Sequence, residues 1–222
     1  MARRTKEETK SRILHSAANL FMKNGYSKTK ISDIAEDSKI PYTEIFRRCK
    51  DKEAILSDLV GIVIQCQFEC SRDILKDITN DKMFIYAFEG VLQLSIAEST
   101  EHLREMYMVS YSLLNSSQTI YKTVTDKLED TFKNHLPHFE KKDFYELEIA
   151  TAGIMRGYLT VPCDMYFTMD RKINRYIEST FKLYDVGIDK INEIIDFLKQ
   201  FDFKDISNKV INLILKYLND NI

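Results

Sequence analysis

The chain has 222 residues, of which 44% are apolar and 30% are charged, a balance typical of a globular protein with a buried core. Its longest purely apolar run, residues 59–64, is far shorter than the roughly 20 residues that cross a bilayer. The opening residues, MARRTKEETK, contain no apolar segment of a secretory signal. We therefore expect a cytoplasmic protein with no membrane partner.

The charge is distributed unevenly along the chain. Residues 1–52 hold 13 Lys and Arg against 7 Asp and Glu, whereas the remainder holds 19 against 27, although the whole chain carries a net charge of only −2. A basic segment joined to an acidic one indicates a head that meets polyanions and a body that does not.

No catalytic or metal-binding motif is present in the sequence. A glycine-rich phosphate loop, a nucleophile elbow and an HExxH motif are all missing, so we expect no enzymatic activity and no cofactor. Cys66 and Cys70 lie one helical turn apart, but no third ligand is near them in sequence. We expect reduced thiols in the core and no metal site.

Helical spacing of apolar residues recurs along almost the whole chain, and only three prolines interrupt it. An all-α fold is therefore expected. The first helix should end at Asn24-Gly25, because glycine readily takes the left-handed conformation that ends helices. Thr29 is a candidate N-cap for a second, short helix, which a break near Lys39 ends.

A third short helix is expected to begin at Pro41, because a proline in the first turn loses no hydrogen bond. Ile45 and Phe46 should point inward from this helix. Asp51 then caps a fourth, longer helix that runs out of the basic segment. The second and third helices, joined by a short turn, are typical of a helix-turn-helix that lays its second helix in the major groove of DNA.

The polar face of the third helix supplies candidate DNA contacts. Tyr42, Thr43 and Glu44 would point toward base edges, where threonine bonds a base or touches a thymine methyl and glutamate accepts from cytosine. Phosphates are the natural partners of the basic residues that follow, namely Arg47, Arg48, Lys50 and Lys52. A solvated charged face on a small bundle is the alternative, which the coincidence with helix-turn-helix spacing disfavours.

Longer helices are expected beyond about residue 78. One of them starts at Lys141 and carries Gly153 and Gly157 on one stripe, although glycine inside a helix costs about 1 kcal/mol relative to alanine. Close approach of another helix would compensate for this cost. That helix belongs either to the same subunit or to a second subunit across a dimer seam.

Residues 10–56 closely resemble the DNA-binding head of the TetR family of transcriptional regulators. The matching signature consists of Ile13-Leu14, Ala17-Ala18, Leu20-Phe21, Gly25-Tyr26, Asp33-Ile34-Ala35, Ile45-Phe46 and Lys52-Glu53. The resemblance implies a helix-turn-helix DNA-binding domain of three helices over residues 1–52. It also implies a larger helical domain over residues 53–222 that binds a small ligand and forms a homodimer.

The resemblance also assigns residues to DNA contacts. Lys30 and Ser32 fall at phosphate- and base-contacting positions of the second helix, beside the recognition-helix residues already named. The chain departs from the family pattern at three positions. Lys39 stands where glycine is usual, Phe46 replaces a tyrosine that bonds a phosphate, and Cys49 replaces a large aromatic residue. Our hypothesis is that the arginines after Phe46 restore the lost phosphate affinity.

A ligand cavity among the middle helices is implied by the same resemblance. The aromatic and methionine side chains that would line it are Phe84, Phe88, Met106, Tyr107, Tyr111, Met155 and Tyr158. Large side chains of this kind fill most helical cores, so each one taken singly is better explained by packing in the core than by a pocket. An apolar or amphipathic effector would suit such a cavity.

The resulting hypothesis is a ligand-responsive transcriptional regulator, specifically a repressor. It would bind a palindromic operator in double-stranded DNA as a homodimer and be released by a small effector that moves the fourth helix and so separates the two heads. The alternative from a different class is a helical protein-interaction module with a degenerate DNA-binding head. A steep salt dependence of DNA binding would separate the two.

Overall fold

The computed structural model describes residues 5–220, and within that range every regular element is a helix. The helices are α1 (Lys6–Asn24), α2 (Ile31–Ser38), α3 (Tyr42–Cys49), α4 (Lys52–Leu75), α5 (Lys82–Ser99), α6 (Glu101–Ser110), α7 (Leu114–Phe132), α8 (Lys141–Thr160), α9 (Met169–Leu183), α10 (Ile188–Leu198) and α11 (Phe203–Asp220). The prediction of an all-α fold with an N-terminal helix-turn-helix is confirmed.

The end of α1 is fixed by Gly25. This residue adopts φ +85°, and its N–H donates to the Phe21 carbonyl at 2.9 Å. The backbone conformation requires glycine, and a Cβ here would also lie 2.4 Å from Glu105 Oε2 in α6 and so displace that carboxylate. The predicted helix end at Asn24 is confirmed.

The cap of α2 differs from the prediction. Lys30, and not Thr29, is the N-cap residue, and its N–H donates to Asp33 Oδ2 at 2.8 Å. Thr29 is fully buried, and its hydroxyl donates to the Gly25 carbonyl at 2.8 Å, so it ties down the preceding loop instead. At the other end Lys39 takes the left-handed conformation, φ 55° and ψ 35°, that makes the tight turn before α3.

Helix α3 begins at Tyr42, one residue later than predicted, because Pro41 is its N-cap, and the Pro41 carbonyl accepts from Glu44 N–H at 2.9 Å. Ile45 and Cys49, four residues apart, form the buried face of this helix. Phe46 was expected to point inward but is 43% exposed. It lies one residue, or about 100°, around the helix from Ile45, which turns it toward solvent.

Helix α4 connects the head to the body. Asp51 caps it as predicted, accepting from Ala54 N–H at 2.7 Å. In residues 5–220, α4 alone is long and apolar enough to cross a membrane, but 44% of its most apolar stretch is buried inside the protein, where α4 packs against α1, α5 and α7. These contacts are those of a core helix.

Helix α5 is the centre of the body. Almost every residue from Phe84 to Ala97 is buried, because α4, α6, α7, α8, α9, α10 and α11 surround it. Gly90 permits a close approach of α9, since a Cβ there would lie 2.6 Å from the Tyr176 hydroxyl. The outermost helix, α11, packs on both α5 and α1 and so touches body and head together.

The glycine stripe of α8 lies on the surface. Gly153 and Gly157 are exposed, and a Cβ at either position would meet no atom within 4 Å. Close approach by another helix of the same chain, one of the two expected explanations, is therefore wrong. The alternative, a seam with a second subunit, stays a prediction.

The cysteines are free thiols within the folded chain. Cys49 is buried, whereas Cys66, Cys70 and Cys163 are only partly buried. Burial raises the pKa of each of the four thiols, which favours the protonated and unreactive form. Over the described residues, no group of three or more His, Cys, Asp or Glu side chains is placed to hold a metal ion.

Candidate nucleic-acid interface

Helix α3 presents an exposed face made of the residues that the sequence assigns to DNA. Tyr42 is 50% exposed, its ring packs on the Phe46 ring at a centroid distance of 4.9 Å, and Thr43 is also exposed. At the start of the neighbouring helix α2, Lys30 and Ser32 are exposed as well. This face has the mixed aromatic, hydroxyl and basic character that suits base edges and phosphates.

Glu44 is held between two arginines on α3. Its carboxylate accepts from Arg47 Nε at 2.9 Å and from Arg48 Nε at 2.5 Å. The hydrogen bond from Arg47 is the largest cause that lowers the pKa of Glu44, so this carboxylate is ionised and paired. The pairing reduces the repulsion that a free glutamate would exert on nearby phosphate.

The two arginines differ in their freedom to reach DNA. The Arg47 side chain is 68% exposed, whereas that of Arg48 is 16% exposed and also donates to the Lys6 carbonyl at 3.1 Å. Arg48 thus ties α3 to the start of α1. Arg47 is the arginine that is placed to meet a phosphate.

Lys52 is engaged within the head. Its ammonium group donates to the carbonyls of Tyr26 and Thr29 at 2.9 and 3.0 Å and lies 4.1 Å from the Tyr26 ring centroid. Burial lowers the pKa of Lys52 and, with Glu53 and Asp51, raises the pKa of Tyr26 to about 12. Lys52 therefore connects the loop between α1 and α2 to the start of α4 through these hydrogen bonds.

Other basic residues of the head have no acidic partner. Lys28, Lys30, Lys39 and Lys50 are exposed, and within the described residues none of their ammonium groups has a carboxylate within 4.0 Å. The sequence analysis did not assign Lys28, although its position in the basic segment was an available signal. These side chains add positive charge that no internal contact neutralises.

A small apolar cavity lies in the body between α4, α5, α6 and α7. Its volume is about 50 Å³, and it is lined by Leu56, Leu59, Val60, Val63, Ile64, Gln93, Met106, Tyr107, Ser110, Tyr111 and Ile120. Of the seven predicted ligand residues, the structure brings Met106, Tyr107 and Tyr111 together here.

The other four predicted ligand residues pack elsewhere. Phe84 and Phe88 lie against α10 and the segment that begins α11, with ring centroids 4.7 Å from Phe197 and 4.9 Å from Phe203. Met155 is buried in α8, and the Tyr158 ring stacks on Phe167 at 6.2 Å. Periodicity identified these side chains as inward, but it carries no information about which neighbouring helix each one meets.

Comparison with known proteins supports the assignment of the head. Residues 13–59 match the family described as bacterial regulatory proteins, tetR family. This range contains α2, α3 and their turn, and the geometry of its exposed face is that of a helix-turn-helix. The amino-terminal head therefore matches the DNA-binding domain of the tetR family of bacterial regulatory proteins. No curated protein matches it in sequence.

Solved structures share the fold over most of the chain. RolR, in complex with the ligand resorcinol, has a TM-score of 0.68 at 14% identity and aligns over 85% of this chain and 93% of its own. SmeT, the repressor of the Stenotrophomonas maltophilia multidrug efflux pump SmeDEF, has a TM-score of 0.53 at 15% identity, over 79% and 91% of the two chains.

A third structure comes from Syntrophomonas wolfei strain Goettingen and is assigned to the TetR-family transcriptional regulators. Its TM-score is 0.52 at 19% identity, and the alignment covers 83% of this chain and 98% of that one. At such identities, the likeness establishes the TetR-type fold and leaves residue roles to the chain itself.

The body of this TetR-family fold contains a buried polar chain that sequence analysis missed. The Tyr111 hydroxyl donates to Gln93 Oε1 at 2.7 Å, and Gln93 Nε2 donates to Glu89 Oε1 at 2.8 Å. Burial raises the pKa of Glu89 to about 8 and also raises that of Glu148, which accepts from the Thr151 hydroxyl at 3.0 Å. The available signal was Glu89 in an otherwise apolar stretch of α5, FEGVLQL.

Helix α6 lines the cavity and also touches the TetR-type head. His102 Nδ1 lies 3.1 Å from the Met22 carbonyl, and Ser27 N–H donates to Glu105 Oε1 at 2.9 Å. Burial raises the pKa of Glu105, but the hydrogen bonds from Ser27 and Tyr26 outweigh it and keep the pKa below the usual value. On the cavity side, the Tyr107 hydroxyl accepts a hydrogen bond from Gln67 of α4.

Proposed function

We propose that this protein is a transcriptional repressor of the cytoplasm that binds a palindromic operator as a homodimer and is released by a small apolar or amphipathic effector. The observation that carries the proposal is the exposed face of α3, flanked by unpaired lysines, in a domain whose large apolar residues are otherwise buried or half-buried. The names of similar structures support it, since SmeT is a repressor and RolR was solved with resorcinol.

Each exposed residue of α3 has a role in this proposal. Tyr42 and Thr43 read base edges in the major groove, and Phe46 makes apolar contact with a thymine methyl. Arg47 binds a phosphate oxygen and keeps Glu44 paired. Lys30 and Ser32 of α2 bind the backbone across the groove.

In this proposal Arg48 and Lys52 do not mainly contact DNA; they hold the helices of the head in place. Arg48 holds α3 against α1, and Lys52 holds the α1–α2 loop against α4, so both fix the angle at which α3 meets DNA. The amino-terminal end of α4 also favours a phosphate near Lys52, because unpaired backbone N–H groups point outward there. The compensation hypothesis of the sequence analysis therefore applies chiefly to Arg47.

The dimer in this proposal forms along the glycine stripe of α8. Gly153 and Gly157 are exposed beside Ile149, which is 45% exposed, so a partner helix can approach the α8 backbone closely. Gly153→Leu combined with Gly157→Leu should convert the dimer to a monomer in light scattering, with helical content unchanged. An unchanged dimer would place the seam elsewhere.

Release by effector follows from the contacts of α6 and α4. An effector that enlarges the cavity of about 50 Å³ displaces Tyr107, which bonds α4, and Met106, whose helix also carries Glu105. A dimer reads two half-sites about 34–36 Å apart, so a shift of a few ångströms between heads removes one of them. The effector must favour the released state by a few kcal/mol.

The deciding experiment is selection of bound fragments from genomic DNA, followed by footprinting and a salt titration. We expect a palindromic footprint and a logarithm of affinity that falls steeply and linearly with the logarithm of salt concentration. The matched variant is Thr43→Ala, which should lose sequence preference at one position of each half-site. Salt-insensitive or sequence-independent binding would contradict the proposal and favour a protein-interaction module.

A further inference from the structure

A basic cleft with an apolar floor lies on the body where α4, α5 and α7 meet. Its volume is about 430 Å³, and it is lined by Phe68, Arg72, Lys76, Thr79, Asn80, Lys82, Ile85, Tyr86, Lys127, Asp130 and Thr131. It shares no lining residue with the cavity of about 50 Å³. A volume of this size is within the range of small-molecule sites in proteins.

The charges at the rim of the cleft are not balanced. Lys82 is paired with Asp130, with its Nζ 2.6 Å from Oδ1. Among the described residues, Arg72, Lys76 and Lys127 have no carboxylate within 4.0 Å of their cationic atoms. Three uncompensated cations thus converge on one depression, in a part of the chain where acidic residues outnumber basic ones by 27 to 19.

The floor of the cleft is apolar and rigidly held. Phe68 and Tyr86 are 3% and 6% exposed, and their rings lie 6.5 Å apart. Behind the cleft, the Tyr86 hydroxyl bonds that of Tyr184 at 3.0 Å, so its polar atom is already satisfied and its ring is left as a contact surface. Lys127 Nζ lies 5.5 Å from the Phe68 ring centroid, which places a cation directly beside the apolar floor.

We propose that this cleft binds a small amphipathic anion. The apolar part of the ligand, an alkyl chain or an aromatic ring, packs on Phe68 and Tyr86. Its carboxylate or phosphate lies between Arg72 and Lys127, which supply charge-assisted hydrogen bonds. A cationic ligand is excluded because it would add to three unpaired positive charges.

Binding at this cleft also acts on α4. Phe68 and Arg72 belong to α4, and Lys76 is the C-cap residue of this helix. Lys127 belongs to α7, so a ligand that joins Arg72 to Lys127 fixes one end of α4 against the body. The other end of α4 starts at Lys52 in the head. An effect of the anion on operator affinity rests on the proposed function, whereas binding itself does not.

The test uses three probes with the same alkyl chain, namely decanoate, decanol and decyltrimethylammonium, which are titrated calorimetrically against the full chain. The two ionic probes are kept below their micelle concentrations and decanol below its solubility limit. Decanoate should bind at least about tenfold more tightly than decanol, and the cation should not bind. Equal binding of decanoate and decanol, or preference for the cation, would overturn the proposal.

Variants assign the binding to the cleft. Arg72→Gln with Lys127→Gln should weaken decanoate about 10- to 100-fold and leave decanol unchanged, whereas Lys127→Arg should retain binding. The control is Lys122→Gln, an exposed lysine of α7 outside the cleft, which should bind like the wild type. Equal decanoate affinity of the double variant and the control would overturn the proposal, and thermal unfolding verifies that both are folded.

Two further measurements are needed. The first distinguishes a free anionic ligand from the headgroups of a membrane, and the second distinguishes the anion site from the proposed DNA-binding function. Vesicles of anionic phospholipid should not sediment the protein; sedimentation without binding of monomeric decanoate would identify a membrane surface and overturn the cleft assignment. Operator affinity is then measured with saturating decanoate. If decanoate binds but the operator affinity does not change, only the proposed effect of the ligand on α4 is contradicted. If the protein recognises its operator but does not bind decanoate, only the proposed anion site in the cleft is contradicted.

Discussion

The head and the body treat polar groups in opposite ways. In the head, the buried polar side chains are hydroxyls such as Thr29 and Ser38, which donate to backbone carbonyls, and the charged groups of the described residues are exposed or half-buried. In the body, carboxyls such as Glu89 and Glu148 are buried beside tyrosines. The head is therefore a fixed shape whose surface carries its chemistry, whereas the body stores unfavourable charge that a proton or a ligand can relieve.

The largest expected effect tests the buried charge of the body. Since burial raises the pKa of Glu89 from 4.5 to about 8, the unfolded chain releases this proton first as the pH rises. Stability should then fall between about pH 4.5 and pH 8, by about 5 kcal/mol for this group, and level off above that range. Urea unfolding at pH 5 and pH 8.5 should show a smaller fall in Glu89→Gln than in the wild type, and the remaining fall comes from Glu148, whose pKa burial also raises.

The control for this variant is the exposed Glu146→Gln on α8. It should follow the pH dependence of the wild type. If the stability of Glu89→Gln had the same pH dependence as that of the wild type, Glu89 would be ionised in the folded protein. The body would then not differ from the head in burying neutral carboxyl groups.

A smaller loss is expected where the two regions touch. Gly25→Ala places a Cβ at φ +85° and 2.4 Å from Glu105 Oε2, so it should cost about 3 kcal/mol from backbone strain and the displaced carboxylate. Chemical denaturation measures the loss. The matched control is Gly61→Ala in α4, whose Cβ would meet only Thr119 Cγ2 at 3.6 Å, an ordinary contact, and which should be neutral or stabilising by about 1 kcal/mol.

On the head, the two arginines of α3 should differ in their effect on DNA binding. Arg47→Gln removes an exposed cation and should weaken operator binding about tenfold and reduce the salt slope by about 1. Arg48→Gln should leave the salt slope nearly unchanged, because its guanidinium is engaged by Glu44 and the Lys6 carbonyl. Equal changes in slope would show that Arg48 also reaches a phosphate.

The smallest effect concerns the turn between α2 and α3. Lys39 adopts φ 55°, so Lys39→Gly should relieve strain and stabilise the head by about 0.5–1 kcal/mol after the entropy cost of glycine. Thermal unfolding measures this gain. Lys50→Gly provides a comparison, since Lys50 also has positive φ, 58°. A loss of stability at Lys39 would mean that its side chain makes contacts that outweigh the strain.

Local signals in the sequence predicted the head well. The end of α1 at Gly25 and the cap at Asp51 depend on one residue and its neighbours, so they are readable without tertiary structure. Thr29 and Pro41 were assigned one position from their observed roles, because a threonine can satisfy either an N-cap or a buried loop. Phe46 was placed inward from its apolarity alone, although Ile45 and Cys49 already define the buried face.

The candidate site in the body was less predictable. Three of the seven expected ligand residues share a cavity, because periodicity identifies an inward face but not the helix that it meets. Glu89 and the cations of the basic cleft were missed for a related reason. Arg72 and Lys127 are 55 positions apart in the sequence, and only the packing of α4 on α7 brings them to one cleft.

The contacts between α6 and the head have an evolutionary consequence. His102 and Glu105 reach the carbonyl of Met22 and the N–H of Ser27, which are main-chain atoms present whatever side chain occupies those positions. Mutations that alter the exposed faces of α2 and α3 can therefore accumulate without breaking these two bonds. The same property makes the chain suitable for chimeras, in which a head with another specificity is grafted onto this body with Gly25 retained.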